Sequence, residues 1–175
     1  MKIQVVAGAG TGPTKLSAFD VALNSMGIAN YNLIRLSSIV PPGSKIVDCE
    51  GPIKKAVGTW GDRLYVVIAD TRVDTPNVEA WAGIGWVQEK GSGKGLFVEH
   101  EGANEKTVRR DIKASLNSLM SIRKEKFGPI HMKVVGRTCT HEPVCALVIA
   151  VFGATGWEMI KADDSKSTNR VKISS

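Results

Sequence analysis

Several side chains in this 175-residue sequence could do chemistry by type and spacing. Adjacent hydroxyls stand at Ser37 and Ser38 in LIRLSSIVPPG, where a branched, apolar run stops at a Pro-Pro-Gly turn. On their own, such paired serines are most often solvated turn residues. Glu99 and Glu101 in GLFVEHEG are two residues apart and share one face if that segment is a strand. A carboxyl kept protonated by burial or by a neighbouring carboxylate can deliver a proton near neutral pH; the same pair on a wetted face does nothing. Asp20 follows Phe19 and lies between Leu16 and Leu23 on a helical wheel, at the border of an apolar stripe, where a carboxylate needs a partner. One local answer is a capping box in SAFD, with Ser17 as N-cap and Asp20 at N3, which would start the helix at Ser17 instead of near Thr14.

Other motifs lead nowhere. GAGTGPTK suggests a phosphate loop, but that loop needs glycine, four residues, then Gly-Lys. Pro13 stands five residues after Gly8, and Lys15 five after Gly10. The dinucleotide pattern GxGxxG fails at the same Pro13. His100, His131 and His141 have no metal-like spacing, so no metal site is expected. No GxSxG elbow is present. Cys49, Cys139 and Cys145 are too few and too far apart for a disulfide framework; they read as small buried hydrophobes in a reducing, cytoplasmic compartment. The net charge of +6 is spread out, and its densest cluster, around Arg109, Arg110 and Lys113, is the wet side of a helix, which argues against a nucleic-acid surface. No apolar run approaches the roughly 18 residues of a membrane span, and MKIQVVAGAG lacks the length of a secretory signal.

These groups must be positioned by a modest set of elements. KIQVV reads as a short strand running into a glycine-rich loop. TKLSAFDVALNSMG reads as a helix with Leu16, Phe19, Leu23 and Met26 on its apolar side and Gly27 as its stop. NYNLIRLSSIV reads as one strand, and PPGSKIVDCEGP as turns. RLYVVIADTRVD is a strand; EAWAGIGWVQEK and GLFVEHEG form a hairpin around GSGK. One long helix is expected from about Asn104 to Phe127, with Val108, Ile112, Leu116, Leu119 and Ile122 as its stripe. HMKVVGRT and CALVIAVFGA are further strands, and the tail from Lys161 is polar. Strands outnumber helices and two pairs are short-linked, so the expected class is α+β, with helices covering mostly antiparallel sheet.

LSAFDVALNSMGIANYNLIRLSSIVPPG resembles the pyruvoyl-dependent arginine decarboxylases: a helix with an AFD core, then G-I-x-N-x-N-L-I-R, then the serine pair and Pro-Pro. GLFVEHEG followed by a helix opening EKTVRR is similar to a second block of that family. The resemblance implies an αββα sandwich. It implies a single domain over residues 1–160, made as a proenzyme that cuts itself between Ser37 and Ser38 into a β fragment, 1–37, and an α fragment, 38–175. Residues 161–175 are left as a tail. Ser38 would attack the carbonyl before it, and elimination and hydrolysis would convert it to a covalent pyruvoyl group. That group would form a Schiff base with L-arginine, and CO2 and agmatine would leave.

By resemblance Asn32, six residues before Ser38, is a donor at the site, with the same strand parity as Ser38. Glu99 is the general acid. Asp20 pairs with the substrate guanidinium, with Leu16, Leu23 and Ser37 as further substrate contacts. The family also implies a trimer, or a multiple of trimers, with active sites at subunit interfaces and no membrane partner. Two alternatives stay open on the sequence: a pyruvoyl-dependent decarboxylase of another amino acid, and a non-cleaving paralogue that serves as a binding module.

Overall fold

The computed structural model describes residues 1–54 and 58–157; the tail from Lys161 lies outside them. Its first strand, β1 (Lys2–Thr11), does not stop at the glycines but runs through them. Gly8, Gly10 and Gly12 alternate along the chain and so share one face. A Cβ at Gly10 would fall inside contact distance of the Ala18 carbonyl oxygen, and one at Gly8 would meet Met26 Cγ at 2.6 Å. The glycines form a bare track on which helix α1 (Lys15–Ser25) lies close to the sheet. Gly10→Ala should therefore destabilise the protein by about 1–3 kcal/mol through overpacking. Thermal unfolding reads this against Gly153→Ala, whose added Cβ meets nothing within 4 Å.

Helix α1 starts at Lys15, not after Ser17. Thr14 is the N-cap and its hydroxyl accepts a hydrogen bond from the Ser17 amide, while the Thr14 amide donates to Ser17 Oγ, which completes a capping box. Asp20 is thus no capping residue. Ala18, Ala22, Leu23 and Met26 are the buried face of this region, and Leu16, expected in the stripe, is 69% exposed.

The segment expected as one strand is broken in two. Strand β2 (Asn32–Arg35) is largely exposed and pairs with β5 (Arg63–Val73). Strand β3 (Ile39–Val40) pairs instead with β7 (Gly95–Gly102). The turn-rich stretch after it still holds a short strand, β4 (Lys45–Asp48). β6 (Glu79–Gln88) and β7 make the expected hairpin, and β8 (His131–Thr138) and β9 (Val144–Thr155) complete the set.

Two sheets result. The five-stranded sheet has the order β2-β5-β9-β1-β4, and the four-stranded sheet β3-β7-β6-β8. Among the described residues only β1–β4 and β2–β5 run parallel. β9 is central and buried from Val144 to Val151, and its side chains alternate between two cores. Val144, Ala146 and Val148 face the second sheet, where Ile84, Trp86 and Phe97 meet them. Cys145, Leu147 and Ile149 face α1. Helix α2 (Glu105–Ser121) covers the far side of the four-stranded sheet with Val108, Ile112 and Leu116. It ends earlier than expected, and Ile122 is 76% exposed beyond its last turn. The layers are therefore helix, sheet, sheet, helix.

Cys139 and Cys145 are buried and Cys49 half-buried, all as free thiols. Burial, with the Asp70 charge, pushes the Cys145 thiol up to about 12, so it behaves as a small hydrophobe. Trp86 also belongs to the core, stacked on His131 at 5.7 Å, whereas Trp60 and Trp157 are exposed. No described helix is long and apolar enough to cross a membrane.

Candidate active site

The two serines mark the crossing from one sheet to the other. The Leu36 amide donates to Val66 O at 2.8 Å, the last bond to the five-stranded sheet. The Phe97 amide donates to Ser38 O at 2.8 Å, the first bond to the four-stranded sheet. The Ser37–Ser38 peptide thus spans two anchored segments. Ser38 has φ of 64°, a left-handed conformation that costs a residue with a Cβ about 1–2 kcal/mol. Outliers of this kind persist where the surrounding structure holds them and often mark a functional site.

Ser38 Oγ lies 2.7 Å from Glu99 Oε1 and 2.8 Å from Oε2, so its hydroxyl donates to the carboxylate. Sixty-one residues of chain separate the partners; β7 brings them together. Phe97 faces the core between the sheets and Val98 faces α2. By alternation Glu99 follows Phe97, toward the crossing, and His100 follows Val98, toward α2. Beyond Leu96, the last β3-paired residue of this strand, and the Phe97 amide, the outer edge of β7 has no strand partner among the described residues. There a cleft of about 540 Å³ opens, lined by Ser38, Phe97, Glu99, His100, Ser115 and Leu119, among others.

The remaining expected site residues are dispersed. Glu101 shares Glu99's face but takes the Asp70 amide at 3.1 Å, so it is not a partner of Glu99. Asn32 donates from Nδ2 to Gly61 O, and its own amide goes to Asp62 O. The break between β2 and β3 ends the parity that linked Asn32 to Ser38, and no hydrogen bond joins the two among the described residues. Asp20 is exposed on the outer face of α1, with no hydrogen-bond or ion-pair partner among the described residues, and Leu16 lies one turn before it. Leu23 is committed to the core under α1. Ser37 is exposed at the crossing. Sequence reasoning missed Ser115 and left His100 idle. The signal was available: His100 has the parity of Val98, and α2 must cover that face.

The family model for pyruvoyl-dependent arginine decarboxylase matches residues 2–156. The chain belongs to this family. A pyruvoyl-dependent arginine decarboxylase from Halobacterium salinarum is 32% identical over 160 residues, covering 87% of this chain and 94% of its own. One from Thermococcus sibiricus is 30% identical over 152 residues, covering 86% and 94%. One from Methanocaldococcus jannaschii is 40% identical over 114 residues, covering 61% and 65%.

Membership makes the chain a carboxy-lyase that works with a covalent pyruvoyl group. The residues at the crossing fit such a group. Ser38 faces a cleft, not the core; a carbonyl directly precedes it; and its hydroxyl already rests on a carboxylate.

Proposed function

We propose that the chain cuts itself between Ser37 and Ser38 and decarboxylates L-arginine to agmatine and CO2. The observation that carries this reading is the Ser38 hydroxyl seated on the Glu99 carboxylate, on a left-handed residue at the crossing between sheets. Ser38 Oγ attacks the Ser37 carbonyl carbon, and its proton passes to Glu99. The C–N bond breaks, the nitrogen takes up a proton, and an ester remains. Loss of the Ser38 Cα proton and cleavage of the ester C–O bond then free the Ser37 carboxylate and leave dehydroalanine at position 38. One water enters and one ammonia leaves to give the ketone. The fragments need not part. β1 of the short fragment is held between β9 and β4, and β2 lies on β5, all from the long fragment.

In the mature enzyme the pyruvoyl ketone supplies the carbonyl that takes the substrate amine and accepts the electrons released with CO2. The chain supplies the rest. Glu99, beside position 38, holds the proton that returns to Cα. Leu119 gives the cleft part of its apolar wall.

Asp20 and Leu16 do not line the cleft of their own chain. They serve the guanidinium from a second copy, in a homo-oligomer, a trimer or a multiple of trimers, whose sites lie between subunits. Asp20→Ala should still self-cleave but show an arginine KM raised about tenfold to a hundredfold, as expected for loss of a charged hydrogen-bond partner. Co-expressed Asp20→Ala and Ser38→Ala chains should regain sites with the wild-type arginine KM, which Asp20→Ala alone lacks and Ser38→Ala alone, being inactive, cannot show. Each can complete one intact site from Ser38 of one copy and Asp20 of the other. An unchanged KM sinks the guanidinium role, and a lack of complementation sinks the shared site.

A further inference from the structure

The wall of the cleft opposite Glu99 has its own polar apparatus. His100 Nε2 and Ser115 Oγ share a hydrogen bond at 2.8 Å, which fixes the imidazole against α2. No hydrogen bond within the chain uses His100 Nδ1 among the described residues. The carboxylate of Asp111, one turn before Ser115, is paired with Arg110 at 2.8 Å; its charge reaches His100, but no ion pair joins the two among the described residues. Ala114, Ser115 and Ser118 are small and keep this side of the cleft open.

The charges of the cleft decide how an amino acid can lie in it. Its titratable lining residues are Glu99 and His100. A substrate amine joined to position 38 carries its carboxylate on the next carbon, so the carboxylate must lie in the same cleft. Glu99, which holds the proton for Cα, offers it no positive charge, and of the residues that line the cleft in this chain only His100 can carry one.

We infer that His100, oriented by Ser115, receives the α-carboxylate of the substrate and so sets its position before CO2 departs. This rests on the assignment of Ser38 as the reactive centre. Ser115 is a positioning residue that acts through the imidazole. The role is distinct from proton transfer. A cation on the carboxylate stabilises bound substrate more than the transition state, in which that charge is leaving. Removing it should therefore weaken binding without slowing chemistry.

The test compares arginine with agmatine, which lacks the carboxylate. In processed enzyme, His100→Gln should raise the arginine KM about tenfold to a hundredfold, the range for losing a hydrogen bond to a charged group. Its kcat should hold or rise. The Kd for agmatine, measured by calorimetric titration, should stay at the wild-type value. Ser115→Ala, which keeps the imidazole but frees it, should raise the KM severalfold with the same split.

An unchanged arginine KM overturns the inference. So does a parallel loss of agmatine affinity, which would mark general damage to the cleft, or a fall in kcat at constant KM. Mass spectrometry of the same samples separates the two levels. A cleaved His100→Gln chain with an unchanged KM removes only the role of His100. A wild-type chain left uncut with Ser38 unmodified removes the site itself.

Discussion

Ser38→Ala is expected to leave the chain in one piece and to abolish decarboxylation. The wild-type protein should resolve into residues 1–37 and 38–175, whose masses together equal the intact chain plus one water and minus one ammonia. The variant loses the only atom that can reach the Ser37 carbonyl through a five-membered ring, so neither the cut nor the ketone can form. Activity should fall to the background of the assay, because an amino acid without an electron sink has no accessible route to lose CO2. Folding should survive: alanine bears the same left-handed φ of 64° at about the same cost as serine, and the anchors at Leu36 and Phe97 are backbone bonds. Ser37→Ala, by contrast, should still cleave, since position 37 contributes only its carbonyl. A Ser38→Ala chain that splits at this bond would show that the nucleophile is another group.

Strong periodicity made much of the fold legible. Helix α2 was readable because Val108, Ile112 and Leu116 recur at helical spacing and all reach the core. The β6–β7 hairpin was readable from its flexible GSGK link. What failed were features with no period to read. Strands β2 and β3 have four and two residues, too short to reveal that the chain changes sheets between them. Because glycine is a turn former, the glycines of β1 read as a loop in the sequence. Their alternation was the real signal, a strand face stripped of side chains for a helix to approach.

The site shows the same divide. Ser38 and Glu99 could be singled out by resemblance, but their contact depends on β7 docking beside the crossing. Asn32 looked close to Ser38 by parity, yet the chain changes sheets between them, and its side-chain amide serves Gly61 instead. Asp20 looked like a helix cap or a pocket residue. It is neither within one chain, because Thr14 caps α1 and the carboxylate faces outward. A group directed away from its own cleft fits a site completed by another copy, which sequence alone could state only by family likeness.

Glu99→Gln should impair both reactions, and each can be read separately. The amide keeps the shape of the carboxylate and can still accept the Ser38 hydroxyl, so the crossing should stay in place. It cannot take the proton as Ser38 attacks, nor hold one for return to Cα. Loss of a positioned acid or base costs about 10²–10⁴-fold. A time course on denaturing gels should show cleavage slowed by a factor in that range, with uncut chain persisting after purification. The processed fraction, isolated after long incubation, should bind agmatine normally yet show kcat reduced by a similar factor. Small carboxylates such as formate should partly restore cleavage in Glu99→Ala, where they can occupy the space beside Ser38. Normal cleavage with a lowered kcat would confine Glu99 to decarboxylation and pass the Ser38 proton to another acceptor. Normal rates in both reactions would remove Glu99 from the site, leaving its 2.7 Å contact with Ser38 a structural bond.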